Sequence, residues 1–198
     1  STGVGAARRG RLGRRQAAQV VLVFGESLGG QDLNKVVTAL KQKILEGDGL
    51  YVRHSTGARD FEATRDALGL SDAEAMRWRL MAYIQDMGDA LAACDLVLSR
   101  AGASAIAEIV ALAVPSVLVP YPYATENHQY TNAHFLADAG AAVICDDSAI
   151  GSAEFENDVL GLLDDSTRRA SMRTAARTLG GANAAATLAD AVESVGRR

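Results

Sequence analysis

The run Val20-Val21-Leu22-Val23-Phe24 is apolar at every position, with no polar alternation. A strand with this pattern is buried on both faces, which is the condition of a strand inside a parallel sheet covered by helices. A glycine-rich turn follows, Gly25-Glu26-Ser27-Leu28-Gly29-Gly30. Then Leu33, Val36, Val37, Leu40 and Ile44 recur at helical spacing between Asp32 and Glu46. The chain therefore starts as a strand-turn-helix unit, and the pattern repeats.

Further strands are expected at Leu50–Ser55, Arg79–Ile84, Asp95–Leu98, Ser116–Val119 and Ala141–Ile144. Helices are expected at Arg59–Leu68, Met87–Ala93, Ala103–Leu112 and Asn127–Ala139. The end reads as purely helical, at Glu154–Leu163, Ser166–Leu179 and Ala182–Val195. Alternation at these lengths predicts right-handed crossovers and a Rossmann-like parallel α/β sheet with helices on both faces. One domain is expected over residues 16–198, with residues 1–15 as a basic arm or linker.

In such sheets ligands bind beyond the carboxyl ends of the strands, where the polar turns fall. Gly25–Gly30 suits a diphosphate. Its glycines, Gly29 among them, allow close backbone approach, the following helix offers free N–H groups, and Ser27 adds a hydroxyl. A plain tight turn is the alternative. Ser99-Arg100-Ala101-Gly102-Ala103-Ser104 opens a second helix. Glu108 lies about one turn beyond Ser104 and could accept hydrogen bonds from both ribose hydroxyls, or stand as an exposed helix-start glutamate. Glu126-Asn127-His128-Gln129 opens a third. Its amides and imidazole match sugar hydroxyls, or cap the helix. Ile84 and Tyr83 could pack on a flat base, and His54-Ser55-Thr56-Gly57 could line the same cleft.

Composition excludes other classes. Aromatic residues are 5% of the chain and the net charge is −4, which argues against nucleic-acid binding. Arg8, Arg9, Arg11, Arg14 and Arg15 give the arm a charge suited to anionic lipid or phosphate. Cys94 and Cys145 read as reduced core thiols of a cytosolic protein. Three scattered histidines offer no metal-ligand spacing, and no cofactor is expected. The run Ile109–Pro120 is too short to span a bilayer, so any membrane role is peripheral.

Together these turns resemble the C-terminal, donor-binding half of the MurG family. These are bacterial transferases that move N-acetylglucosamine (GlcNAc) from UDP onto a lipid-linked muramyl-peptide. The family's GGS-x-G-A-R loop stands here as Gly25-Glu26-Ser27-Leu28-Gly29-Gly30-Gln31, and its H-x-T-G as His54-Ser55-Thr56-Gly57. Its S-R-[SA]-G-A-x-[ST]-x-x-E spans Ser99 to Glu108, departing by one register because Ser104 directly follows Ala103. Its P-x₇-HQ-x-x-N-A runs from Pro120 to Ala133.

The resemblance implies half of a GT-B glycosyltransferase, inverting and metal-independent, at the inner face of the cell membrane. It places Ser27, Gly29 and Ser104 near the diphosphate and Glu108 on the ribose. It places Ile84 against the uracil, and His128 and Gln129 on the sugar. Glu26 and Gln31 replace a glycine and an arginine, making the phosphate site less positive. Nothing in this sequence resembles the family's acceptor half, with its G-G-T-G-G-H loop and general base. No catalytic residue is therefore assigned, and the chain alone is expected to bind UDP weakly, if at all, and to turn over nothing. The alternatives are a donor subunit, half of another UDP-sugar enzyme such as a glycolipid synthase or epimerase, or a non-catalytic nucleotide-sugar module.

Overall fold

The structure, a computed structural model, describes residues 18–25, 30–46, 49–124 and 127–180. Six strands form one sheet: β1 (Gln19–Phe24), β2 (Leu50–Ser55), β3 (Trp78–Met81), β4 (Leu96–Ser99), β5 (Ser116–Leu118) and β6 (Ala142–Ile144). Their order is β3-β2-β1-β4-β5-β6 and every pairing is parallel. The helices are α1 (Gly30–Ala39), α2 (Lys41–Glu46), α3 (Phe61–Leu68), α4 (Asp72–Ala75), α5 (Met87–Ala93), α6 (Ala103–Leu112), α7 (His128–Ala137), α8 (Ala153–Asp164) and α9 (Ser166–Leu179).

The apolar run of β1 explains the architecture. Val20, Leu22 and Phe24 face a core layer built with α5, α6 and α7. Val21 and Val23 face the opposite layer, built with α1, α2, β2, β3 and α8. Burial on both faces requires apolar residues at successive positions, and each of Val20 to Val23 is at most 2% exposed. Helix α9 closes the sheet by placing Met172 in one layer and Ala176 in the other.

Three expectations about elements need correction. The helix expected from Asp32 to Glu46 is two helices that meet at Leu40, and the first begins at Gly30. Leu40 keeps the two nearly continuous, because its N–H bonds Val36 O and its carbonyl accepts from Ile44 N. The third strand is Trp78–Met81, not Arg79–Ile84. Trp78, 1% exposed, opens the strand against the second layer, and the chain leaves the sheet before Ile84. Helix α4 is additional to the expected elements. Its four residues are too few for a periodic signal, yet Ser71 and Glu74 form a reciprocal capping box that holds it. The arm at 1–15 and the final helix at Ala182–Val195 lie outside the described residues.

Candidate functional site

The strand order reverses between β1 and β4, so the crevice expected of an open α/β sheet opens between the turns that follow them. On the β1 side, Gly25 lies against Gly30, the first residue of α1. A Cβ on Gly25 would stand 2.7 Å from the Gly30 Cα. That approach admits only glycine, so residues 25 and 30 pinch the turn shut and aim the start of α1 at the crevice. Ser27 and Gly29, both expected in the site, and Glu26 lie outside the described residues.

On the β4 side, Ser99, Arg100 and Ala101 are buried, and the chain turns at Gly102 into α6. No side chain caps this helix, so its first N–H groups are left to other partners. Ser104 and Glu108 are both exposed, one turn apart on α6. Arg100 has a role that residue spacing does not signal. Its side chain is 1% exposed and ion-paired to Asp147 just past β6. Its Nη1 also donates to Val119 O at 3.2 Å, and its guanidinium lies 5.5 Å from the centre of the Tyr121 ring. One buried cation thus ties the exits of β4, β5 and β6 together.

Helix α7 performs a second tie. Gln129 Oε1 accepts from the backbone N–H of Ala101 at 3.2 Å and of Tyr121 at 2.9 Å. Asn132 Nδ2 donates to Ala101 O at 3.1 Å. Two side chains of one helix therefore hold the turn after β4 on both its donor and its acceptor. Two converging N–H donors fix the Gln129 amide with its oxygen inward. Its Nε2, a donor only, is what remains for a ligand. Asn127 adopts a left-handed conformation (φ 60°) that an asparagine tolerates, and half-buried His128 begins the helix. The starts of α6 and α7 are thus fastened together, which brings Ser104, Glu108, His128 and Gln129 onto two stapled elements. Ile84 stands apart, beyond β3, half-buried and packed on the first core layer. Glu126 lies outside the described residues.

The exit of β2 braces the site rather than opening into it. His54 is fully buried, with its Nε2 2.8 Å from Asn34 Oδ1. Asn34 Nδ2 donates to Thr56 O at 3.2 Å, so Oδ1 must accept and His54 Nε2 must carry the proton. Thr56 N in turn donates to Met81 O. This chain of bonds locks α1 to the ends of β2 and β3.

Burial pushes the His54 imidazole down to about 4 from its ordinary 6.5. An unfolded chain therefore takes up this proton at a higher pH than the folded one. The stabilisation is fully present above pH 6.5 and is lost as pH falls towards 4. About 3 kcal/mol should disappear across that window. Urea denaturation at intervals of pH measures it, and His54→Gln should flatten the profile.

Cys94 and Cys145 are buried free thiols, and burial raises the Cys145 thiol to about 11, leaving it unreactive near neutrality. Among the described residues no three His, Cys, Asp or Glu side chains converge to hold a metal ion, and no helix is long and apolar enough to cross a membrane.

A parallel sheet in this order, with the uncapped starts of α6 and α7 fastened together, is a Rossmann-like α/β unit of the kind that forms one half of a GT-B glycosyltransferase. Known structures agree. Acinetobacter baumannii MurG matches with a TM-score of 0.72 at 30% identity, over 94% of this chain and 53% of that one. WaaG, a glycosyltransferase involved in lipopolysaccharide biosynthesis, shares the fold with a TM-score of 0.65 at 20% identity, over 90% of this chain and 47% of that one. The family model of the glycosyltransferase family 28 C-terminal domain matches residues 20–193, and the chain belongs to that family. A curated relative from Chlorobaculum tepidum is 45% identical over 181 residues, 91% of this chain and 48% of its own length. It is named UDP-N-acetylglucosamine–N-acetylmuramyl-(pentapeptide) pyrophosphoryl-undecaprenol N-acetylglucosamine transferase. The chain spans about half the length of the curated relatives it matches.

Proposed function

We propose that this chain is the donor-binding half of a glycosyltransferase that takes UDP-GlcNAc and delivers GlcNAc to a lipid-linked muramyl-pentapeptide during peptidoglycan synthesis. The observation that carries the proposal is the Gln129–Asn132 clamp. It fastens the start of α7, which follows β5, to the turn that opens α6 beside the switch point, and a ligand with a diphosphate and two hydroxyl-bearing rings would find complementary groups at both. The relatives' names supply the chemistry of that ligand.

In this reading Ser27, Gly29, Ser104 and the free N–H groups of α1 and α6 receive the diphosphate. Glu108 accepts from the ribose hydroxyls, Ile84 lies against the uracil, and His128 and the outward Nε2 of Gln129 meet the sugar. Helix N-termini favour the negative charge that builds on the departing UDP, which is electrostatic support for the leaving group. The group that deprotonates the acceptor and the surface that binds its lipid belong to the other half of such an enzyme, because two domains must close to align donor and acceptor. Contact with the inner face of the membrane would be peripheral.

Glu108 gives the test. Replacing it with alanine should weaken UDP binding by about 1–3 kcal/mol, the cost of leaving the ribose hydroxyls unpaired. Calorimetric titration of wild type and variant with UDP measures this. Equal affinities would remove Glu108 from the site.

A further inference from the structure

Two arginines share the sheet face opposite His54. Parallel register pairs Arg53 of β2 directly with Arg79 of β3. Side chains paired in this way leave the same face, on strands about 4.8 Å apart. His54 and Leu80, the next pair, point to the second core layer, so the two arginines point away from it. The first core layer takes no residue from β2 or β3.

Among the described residues no carboxylate pairs with either guanidinium, and Arg53 makes one weak contact, from Nη2 to Met81 Sδ at 3.9 Å. Arg53 is 9% exposed, and its buried Nε faces no acceptor. Burial and the charge of Arg79 both push the Arg53 guanidinium down from its ordinary value. Two like charges directly across a strand pair oppose each other. A buried donor of a charged group without a partner adds a further cost. An anion seated between the two removes both costs, and paired planar forks match its oxygens.

We infer that Arg53 and Arg79 form a binding site for a small oxyanion of the phosphate class, separate from the donor site. The depth of Arg53 sets the size: with 9% of the residue exposed and its Nε buried, it meets a small free anion rather than the plane of a bilayer.

The test uses the full 198-residue chain with and without excess UDP, so that any phosphate pocket of the donor site is filled in one arm and UDP competition at the arginines is seen by comparison with the other. Inorganic phosphate is titrated against chloride at constant ionic strength, and thermal unfolding is followed. At tenfold above half-saturation, phosphate should raise the Tm by about 3–6 °C. Arg79→Gln, at an exposed position that should fold normally, should abolish that rise. In chloride alone at low salt the same variant should melt no lower than wild type, because a repulsion has been removed. Vesicles containing anionic phospholipid should neither bind through these arginines nor compete with phosphate. A non-saturating phosphate effect, an equal rise in Arg79→Gln, or vesicle binding that Arg79→Gln abolishes would each overturn the inference.

Discussion

Replacing Arg100 with alanine should lower the folding stability of this chain by about 3–5 kcal/mol, as expected when one partner of a buried pair is removed. Its side chain is among the largest fully buried ones in the fold. The variant strands the Asp147 carboxylate, frees the Val119 carbonyl and empties the space beneath the Tyr121 ring. The consequence extends to binding. The exits of β4, β5 and β6 would lose their common anchor, so UDP affinity should fall in the variant even where it remains folded. Guanidinium denaturation reads the first effect and UDP titration below the unfolding midpoint reads the second. Arg100→Lys should recover part of the stability through its charge and less of the affinity, since an ammonium cannot reproduce the planar fork. Full stability in Arg100→Ala would show that the three exits hold their places without it.

Gly25→Val is expected to be the most damaging change at the β1 turn. Even the first carbon of a side chain would lie 2.7 Å from the Gly30 Cα, and that atom is backbone, which cannot swing aside as a side chain can. Either the end of β1 or the start of α1 must shift. Overpacking of this kind costs about 1–3 kcal/mol for small insertions, and valine should reach the upper end. Because the shift displaces the start of α1, UDP binding should fall as well. Gly161→Ala is the counterpart. Gly161 sits inside α8, and a methyl group added there would meet nothing within 4 Å, so alanine should stabilise by about 0.5–1 kcal/mol. Opposite signs at two glycines would show that space, and not loss of glycine itself, governs the β1 turn. Parallel urea melts of the two variants supply the comparison.

The layers of the fold are legible in the sequence because they depend on local pattern. The continuous apolar run of β1 implies a strand covered on both faces, and α6 begins and ends where its apolar spacing and Gly102 indicate. The edge of the sheet is less legible. β3 is only four residues long, and α4 is held by a capping box inside a polar stretch where periodicity is silent.

The candidate site is legible as a set of turns but not as a set of bonds. Arg100 gives no local sign that it will meet Asp147, which comes two strands later. His54 looks like a cleft residue at the end of a strand. Only its bond to Asn34 of α1, and its complete burial, make it a brace. Gln129 is expected at the sugar from its place in the third turn. The structure adds that two backbone donors hold its oxygen inward, so that it offers a ligand a donor alone. Each of these depends on contacts between elements distant in sequence, which residue spacing does not encode.

The account rests on distant turns gripping one uridine-linked ligand at the β1–β4 crevice. Amide chemical-shift mapping of the full chain during titration with UDP, repeated with ADP, tests it most directly and tolerates weak binding. UDP should perturb residues 101–108 and 127–130 together, saturably, and at lower concentration than ADP. Preference for ADP, or UDP perturbations confined to other parts of the sheet, would contradict it.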